Sequence, residues 1–249
     1  RTDQVVDRII HGYETVAGRP MVVTSEGLAD YWVTTESQSY PGYVGWGILN
    51  DLGQRMVDTG LSGGAYIVAD RGVFDLHGKD VESSLKRAGF HTDTFLVDAG
   101  EASKSLRTVE SVYQWLAERR AERAHVIVSV GGGMVGDLAG FVAATYLRGM
   151  PLVHVPMSLL SMVDASIGGK VAVNLAVGKN LVGSFYQPRL VLSDVATLVT
   201  LPPRELTAGW AEVIKHAVIL DSELFEFIKS ERERLLALDP DLTTEVIRR

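Results

Sequence analysis

Cysteine is absent from all 249 residues. That absence removes disulfides, iron–sulfur clusters, thiolate zinc sites and cysteine nucleophiles together, and it fits a reducing cytosol. Basic residues are in deficit, with 24 Lys and Arg against 31 Asp and Glu and a net charge of −7. Gripping a phosphate backbone takes a basic footprint, so the balance argues against nucleic acid as a partner. No long uninterrupted apolar run is present. The most apolar stretch, Val126 to Tyr146, carries Asp137 and a glycine cluster, whereas a bilayer span needs ~20 nearly uninterrupted apolar residues. A signal peptide is lacking too, because acidic and basic residues are mixed through Arg1 to Arg19. No membrane partner is expected, and the expected location is cytoplasmic.

The remaining composition, 46% hydrophobic and 22% charged, is ordinary for a globular protein. The length suits one large domain, or one domain and part of another. The chain opens on Arg1 rather than Met. It stops at Arg248-Arg249, a few residues into a new helix after Asp239-Pro240-Asp241. A helix that short is unstable alone, so the expectation is a fragment of a longer protein. Residues 1–17, with Val5, Val6, Ile9 and Ile10, read as a short helix or a linker left from an upstream domain.

Periodicity divides the rest. From Pro20 to Val44, short β-prone runs separated by Gly, Ser and Asp predict hairpins. Ile48, Leu49, Leu52 and Met56 recur at helical spacing. Strands and helices then alternate. The expected strands are 65–70, 93–98, 125–130 and 152–156. Between them fall helices over Val81 to Ala88, along Leu106, Val109, Val112, Tyr113 and Leu116, and through Ala144. Such alternation predicts a parallel sheet covered on both faces. RLVLSD (189–194) is a further strand, and beyond Leu201-Pro202-Pro203 the pattern is purely helical. The expected organisation is a helix or linker plus hairpins over 1–45 and a Rossmann-like α/β domain over 46–200. The beginning of an all-helical domain follows over 201–249.

Gly131-Gly132-Gly133-Met134-Val135-Gly136-Asp137 satisfies G-x-G-x-x-G between a strand and a helix. Glycines there let the backbone approach a pyrophosphate at a helix N-terminus; the same run also suits a plain tight turn. The usual fingerprint places an acid ~20 residues later for the ribose hydroxyls. Here nothing acidic lies between Asp137 and Asp164. A dinucleotide's ribose must then be held from elsewhere. The available segment is Gly100-Glu101-Ala102-Ser103-Lys104, which otherwise reads as a solvated loop.

Val155 to Lys170 is too apolar for a surface loop, yet it carries Asp164 and Lys170, with Asn174, Lys179 and Asn180 following. Buried charges need partners, so this cluster suggests a pocket for a polar ligand. With Arg148, the lysines suit a phosphate or carboxylate. An ordinary ion pair at a domain edge is the plain alternative. The helix from Arg204 to Leu220 has one stripe of Leu206, Trp210, Val213, Ile214 and Ala217. Its opposite side holds Ala208, Ala211, Val218 and Ile219, so it is expected to be buried nearly all round. Glu212 and Lys215 project from that second side, and a buried carboxylate is either paired or bound to metal. His216 is one turn beyond Glu212 but nearer the first stripe, which favours a core histidine. The six histidines (His11, His77, His91, His125, His154 and His216) form no HExxH or HxxxH spacing. Any metal site in the chain is therefore incomplete.

From about Ile67 to Ala237 the sequence resembles the 3-dehydroquinate synthases, within the sugar phosphate cyclases. The resemblance rests on GEASKS (100–105), GGGMVGDLAGF (131–141), ATYLRG (144–149), VDASIGGK (163–170), VGKNLVGSFYQP (177–188) and LPPRELTAGWAEVIKH (201–216). It implies an NAD-binding α/β domain, a helical metal and substrate domain, and a homodimer. It also implies a lyase of aromatic amino acid biosynthesis that acts on a sugar acid phosphate. Glu101 and Lys104 would hold the adenosine ribose. The turn over Gly132, Gly133, Met134, Val135, Gly136 and Asp137 would meet the pyrophosphate. Ser158 and the segment Thr197, Leu198, Val199, Thr200 would line the cofactor. Asp164, Lys170, Lys179 and Asn180 would contact substrate, the two lysines also lying beside the cofactor. Arg148 would reach the substrate phosphate, in that family from the neighbouring subunit. Glu212 would be one of three ligands to zinc or cobalt, with Lys215 beside it.

Two departures stand out. Met157-Ser158 replaces the family's threonine pair, which removes one hydroxyl contact to NAD. Asp70 is followed by Arg71-Gly72 where the family has an Asn two residues on, which changes an adenosine contact. Alternatives are an inosose or valiolone synthase, a metal-dependent alcohol dehydrogenase of the same architecture, and a non-catalytic docking fragment.

Overall fold

The computed structural model describes residues 29–35 and 38–249, and the backbone of 21–24. The helix or linker read over 1–17 lies outside the described residues. The strands are β1 (Met21–Thr24), β2 (Tyr31–Thr35), β3 (Ser39–Gly45), β4 (Gly64–Asp70), β5 (His91–Val97), β6 (Val126–Gly131), β7 (Leu152–Pro156), β8 (Lys170–Leu175), β9 (Gly178–Phe185) and β10 (Leu190–Asp194). The helices are α1 (Leu52–Asp58), α2 (Arg71–Arg87), α3 (Leu106–Glu118), α4 (Gly133–Thr145), α5 (Pro203–Leu220), α6 (Ser222–Ser230), α7 (Arg232–Leu236) and α8 (Pro240–Arg248).

One sheet runs β1-β2-β3-β10-β7-β6-β4-β5. Its first three strands pair antiparallel, as the predicted hairpins require. From β3 to β5 every pairing is parallel, so the carboxyl ends of six strands share one edge. The late strand RLVLSD sits inside the sheet between β3 and β7, and the hairpins extend that same sheet. Strands β4 and β6 read as continuous apolar runs because both faces are covered. Leu52, Met56, Val81 and Leu85 pack on one face. Val112, Leu116, Leu138 and Val142 pack on the other.

Helix α2 starts at Arg71, ten residues before the expected Val81. Asp70 caps it, accepting from the backbone N–H of Gly72 (2.9 Å) and Val73 (3.2 Å), a cap stabilising by about 1 kcal/mol. Its first half is polar, so hydrophobic spacing alone does not mark it. At the end of β10, the buried Asp194 carboxylate accepts from Gly47 N (2.7 Å), Leu49 N (2.7 Å) and Ala196 N (3.0 Å). It thereby bolts the residues after β3 to the sheet edge.

Residues 170–185 form the antiparallel β8–β9 hairpin, which the sequence reading lacks. Val171 and Val173 bury against α4 and neighbouring core residues, while Leu181 and Phe185 stay exposed. Helices α5 to α8 form a second layer in which Trp210, Val213, Ala217, Leu224, Val246 and Ile247 pack with Val44, Leu159 and Leu198.

The expectation that the 204–220 helix is buried nearly all round is corrected here. Gly209, Trp210, Val213 and Ala217 are buried. Ala208, Ala211 and Ile214 are exposed, and Val218 and Ile219 are 65% and 67% exposed. A helix buries the stripe that meets a neighbouring layer, and no described element covers this helix's other side.

Candidate active site

The carboxyl edge gathers most of the expected site residues. At the end of β6, Gly131 (φ 155°) turns the chain into α4, and Gly132 is its N-cap, with no side chain capping it. The first-turn N–H groups are therefore left to whatever lies in front of the turn. A Cβ on Gly132 would stand 3.4 Å from Ser158 Oγ, and one on Gly133 would stand 3.1 Å from Ala165. Bare backbone thus faces the 158–165 segment, as anion binding at a helix N-terminus requires.

Met157 donates its N–H to the Gly131 carbonyl (2.9 Å) and turns its side chain into the core beside Val130 and Val155. Ser158 and Ser161 exchange hydroxyl and backbone bonds across the start of the next turn. That turn widens into π-helical Ser161–Ala165, closed by Ser166 N donating to Ser161 O, and it carries Asp164. Met134 is half-buried and Val135 buried, packed into the sheet-facing core.

In front of the turn lies a charged network. The Lys104 side chain is only 5% exposed. Its Nζ donates to Asp137 on α4 and to Asn180 Oδ1 on β9 (2.5 Å). Asn180 N donates to Asn174 Oδ1 (2.9 Å), and Asn174 Nδ2 donates to Glu101 Oε1 (2.7 Å). Lys179 Nζ lies 3.7 Å from the same Glu101 oxygen. Burial pushes the Asp137 carboxyl above its ordinary value; Lys104 pulls it down, while Glu101 and Asp164 add to the rise. Glu101 is held low, first by the Asn174 bond and then by the two lysines, against the opposing cost of burial. Glu101, Lys104, Asp137, Asn174, Lys179 and Asn180 thus form one connected cluster, with Asp164 close enough to act on it electrostatically.

Other expected residues flank this cluster. Lys170 opens β8 after the Gly168-Gly169 turn and is exposed. Arg148 is exposed in the Tyr146–Arg148 turn, where Leu147 (φ 50°) and Arg148 (φ 64°) are consecutive left-handed residues. Each such residue stores about 1–3 kcal/mol of strain. Asp70 lies beside Gly131, its Oδ1 committed to capping α2. In Val195–Thr200, Thr197 and Leu198 are buried and Val199 is exposed. Thr197 Oγ1 donates to Asp194 O (2.7 Å), while the Thr200 hydroxyl meets His77 Nε2 (2.8 Å). No motif singles out His77; only the fold brings α2 to this segment.

Helix α5 crosses the 159–165 turn at Gly209, where a Cβ would stand 2.5 Å from Leu159 Cβ. Close crossing brings Glu212, one turn on, towards the same end of the sheet. Glu212 is 17% exposed and accepts from Lys215. His216 Nε2 lies 3.1 Å from the same carboxylate oxygen. That corrects the expectation of a core histidine, because His216 is partly exposed and faces Glu212. Among the described residues no group of three or more His, Asp or Glu side chains converges to hold a metal ion. None of their helices is long and apolar enough to cross a membrane.

A parallel sheet carries a bare glycine turn at its carboxyl edge, and the helices that follow bring a carboxylate and an imidazole together; solved sugar phosphate cyclases and alcohol dehydrogenases share this fold. A family model described as 3-dehydroquinate synthase N-terminal matches residues 94–208. The 3-dehydroquinate synthase of Symbiobacterium thermophilum is 49% identical over 214 residues, covering 84% of this chain and 59% of that relative. Among solved structures, 2-epi-5-epi-valiolone synthase from Streptomyces hygroscopicus, with NAD+ and Zn2+ bound, superposes with a TM-score of 0.77. It is 30% identical, covering 85% of this chain and 59% of that one. A 2-deoxy-scyllo-inosose synthase complexed with carbaglucose-6-phosphate, NAD+ and Co2+ gives a TM-score of 0.70 at 27% identity, covering 85% of this chain and 60% of that one. The chain matches the 3-dehydroquinate synthases over 84% of its own length, and it spans about 59% of the length of the first of these relatives.

Proposed function

We propose that this chain is the NAD-binding part, with some of the metal and substrate groups, of a 3-dehydroquinate synthase. That enzyme converts 3-deoxy-D-arabino-heptulosonate 7-phosphate to 3-dehydroquinate and phosphate. The observation that carries the reading is the junction of the bare Gly131–Gly133 turn with the Glu101–Asn174–Asn180–Lys104–Asp137 network.

The residues fit a dinucleotide, since the turn offers uncapped first-turn amides and Glu101 supplies the acid missing after it. In this reading the turn over Gly132 to Asp137 receives the pyrophosphate. Glu101 accepts from ribose hydroxyls, and Lys104 fixes Asp137 and Asn180 behind it. Ser158 and Thr197 to Thr200 line the cofactor, and Asp70 bounds its adenosine end. For a metal the fit is partial: Glu212 is one ligand and His216 stands beside it, while the rest of the set comes from outside the described residues. NAD supplies reversible hydride acceptance at a ring hydroxyl, and zinc or cobalt polarises that oxygen. Asp164, Lys170, Lys179 and Asn180 orient the anionic substrate, Arg148 binds its phosphate as part of a homodimer, and Lys215 stands at the metal ligand. A substrate with both carboxylate and phosphate calls for such a basic cluster.

Phosphate release from the seven-carbon acid phosphate, run against sedoheptulose 7-phosphate with the complete protein, tests the reading. Turnover of the acid alone is expected. Preference for sedoheptulose 7-phosphate assigns the chain to another cyclase instead. Lys170→Met or Lys179→Met is expected to cut turnover while the melting temperature holds. Wild-type kinetics from both variants would remove the lysines from the site.

A further inference from the structure

Residues 186 and 187 link two segments that sequence places far apart. Tyr186 N donates to Gly169 O (2.7 Å), and Gln187 Nε2 donates to Gly168 O (3.0 Å). Gly168 (φ 88°) and Gly169 (φ 70°) are both left-handed, and a Cβ on Gly169 would strike the Gln187 amide at 2.7 Å. The turn backbone therefore lies directly on that amide, and Lys170 is the next residue. Tyr186 also reaches the other way. Its hydroxyl donates to Met150 O (2.7 Å) and stands 3.2 Å from where a Cβ on Gly149 would lie. Arg148 immediately precedes Gly149, in the strained left-handed pair.

Packing alone does not account for these side chains. Gln187 Oε1 is buried without a hydrogen-bond partner, a cost that an apolar residue of the same size avoids. What the amide gains is its bond to the Gly168 carbonyl. An aromatic ring would fill the Tyr186 site without its hydroxyl. Both polar groups end on backbone carbonyls of the two segments that carry Lys170 and Arg148.

We propose that Tyr186 and Gln187 are positioning residues, a clasp that holds the Arg148 turn and the Lys170 turn in register for an anionic substrate. The inference rests on the reading above, in which these cations bind substrate. Strain at Leu147–Arg148 is held by tethers at both ends of the turn. The Tyr113 and Tyr146 rings stack 5.8 Å apart on one side, and Tyr186 ties the other.

The test uses Tyr186→Phe and Gln187→Met in the complete protein, with melting temperature and NAD affinity as checks on folding. Amide hydrogen exchange reads the clasp itself. About tenfold faster exchange is expected in residues 147–150 for the first variant and in 167–171 for the second. Steady-state kinetics read the consequence, an approximately tenfold rise in KM for the sugar acid phosphate, with kcat changed less than threefold. Unchanged exchange in both segments overturns the clasp. Faster exchange with unchanged KM overturns the positioning role. If Lys170→Met also keeps the wild-type KM, the error lies in assigning that lysine to substrate rather than in the clasp.

Discussion

The Lys104 ammonium and the Asp137 carboxylate, 33 residues apart in sequence, form an ion pair at the mouth of the glycine turn, with the lysine side chain 5% exposed and the aspartate 20%. Removing one partner of such a pair leaves the other charge buried and uncompensated, at a cost of about 3 kcal/mol or more. Lys104→Met is therefore expected to lower unfolding stability by about that amount in urea. The paired change with Asp137→Leu should recover part of the loss. A single variant as stable as the parent would mean the pair is solvated in solution.

Glu101 is held below the ordinary glutamate value, chiefly by the Asn174 bond, so it is ionised throughout the neutral range. If it receives the ribose, Glu101→Ala loses charge-assisted hydrogen bonds of about 1.5–3 kcal/mol. NAD affinity by calorimetry should fall roughly tenfold or more, and the parent's affinity should stay flat between about pH 6 and 8. Unchanged affinity in the variant takes Glu101 out of the site.

His154 on β7 is fully buried, its Nδ1 2.7 Å from Ser129 Oγ on β6, and burial lowers its pKa to about 4 from 6.5. The folded state keeps the ring neutral while the unfolded chain takes up a proton below 6.5. Its contribution is therefore complete above pH 6.5 and is lost as pH falls towards 4, an effect of about 3 kcal/mol. His154→Gln should flatten the stability profile across that window. Asp137 acts with the opposite sign, since its raised value makes stability fall as pH rises through the acidic range.

With two candidate donors in contact, Glu212 and His216, the described residues fall short of the three protein ligands a catalytic zinc site uses. Residues 1–249 alone, supplied with NAD, zinc or cobalt, and substrate, are expected to release no phosphate. In the complete protein, Glu212→Gln should lower the bound metal measured by elemental analysis. Turnover by the isolated chain would show that its own residues complete the site.

Much of the sheet was legible because its chemistry is local. Strands β4 and β6 are apolar runs, and the glycine turn marks where β6 becomes α4. The β8–β9 hairpin was not legible, because β9 is almost wholly exposed and its alternation carries no burial signal. The start of α2 was hidden because its determinant is one cap, Asp70, rather than a stripe. Glu101, Lys104, Asp137 and Asn180 were each named from motifs. The burial of Lys104 was not foreseeable, since its partners lie 33 and 76 residues away. Likewise the exposed side of α5 depends on which layers meet it, and composition does not encode that.

The Asp194 bolt sets an order of events during synthesis. Its two bonds to the residues after β3 span 147 and 145 positions, and β3 finds its parallel neighbour only in β10. Arg248 reaches back 204 positions to the Val44 carbonyl and pairs with Asp30. The β1–β3 hairpins must therefore wait, with the β3 edge open, until β10 (Leu190–Asp194) has been made. Such distant closures slow folding and leave unpaired edges open to other chains. The nascent protein is thus most exposed to aggregation along β3, far from the chemistry the finished sheet supports.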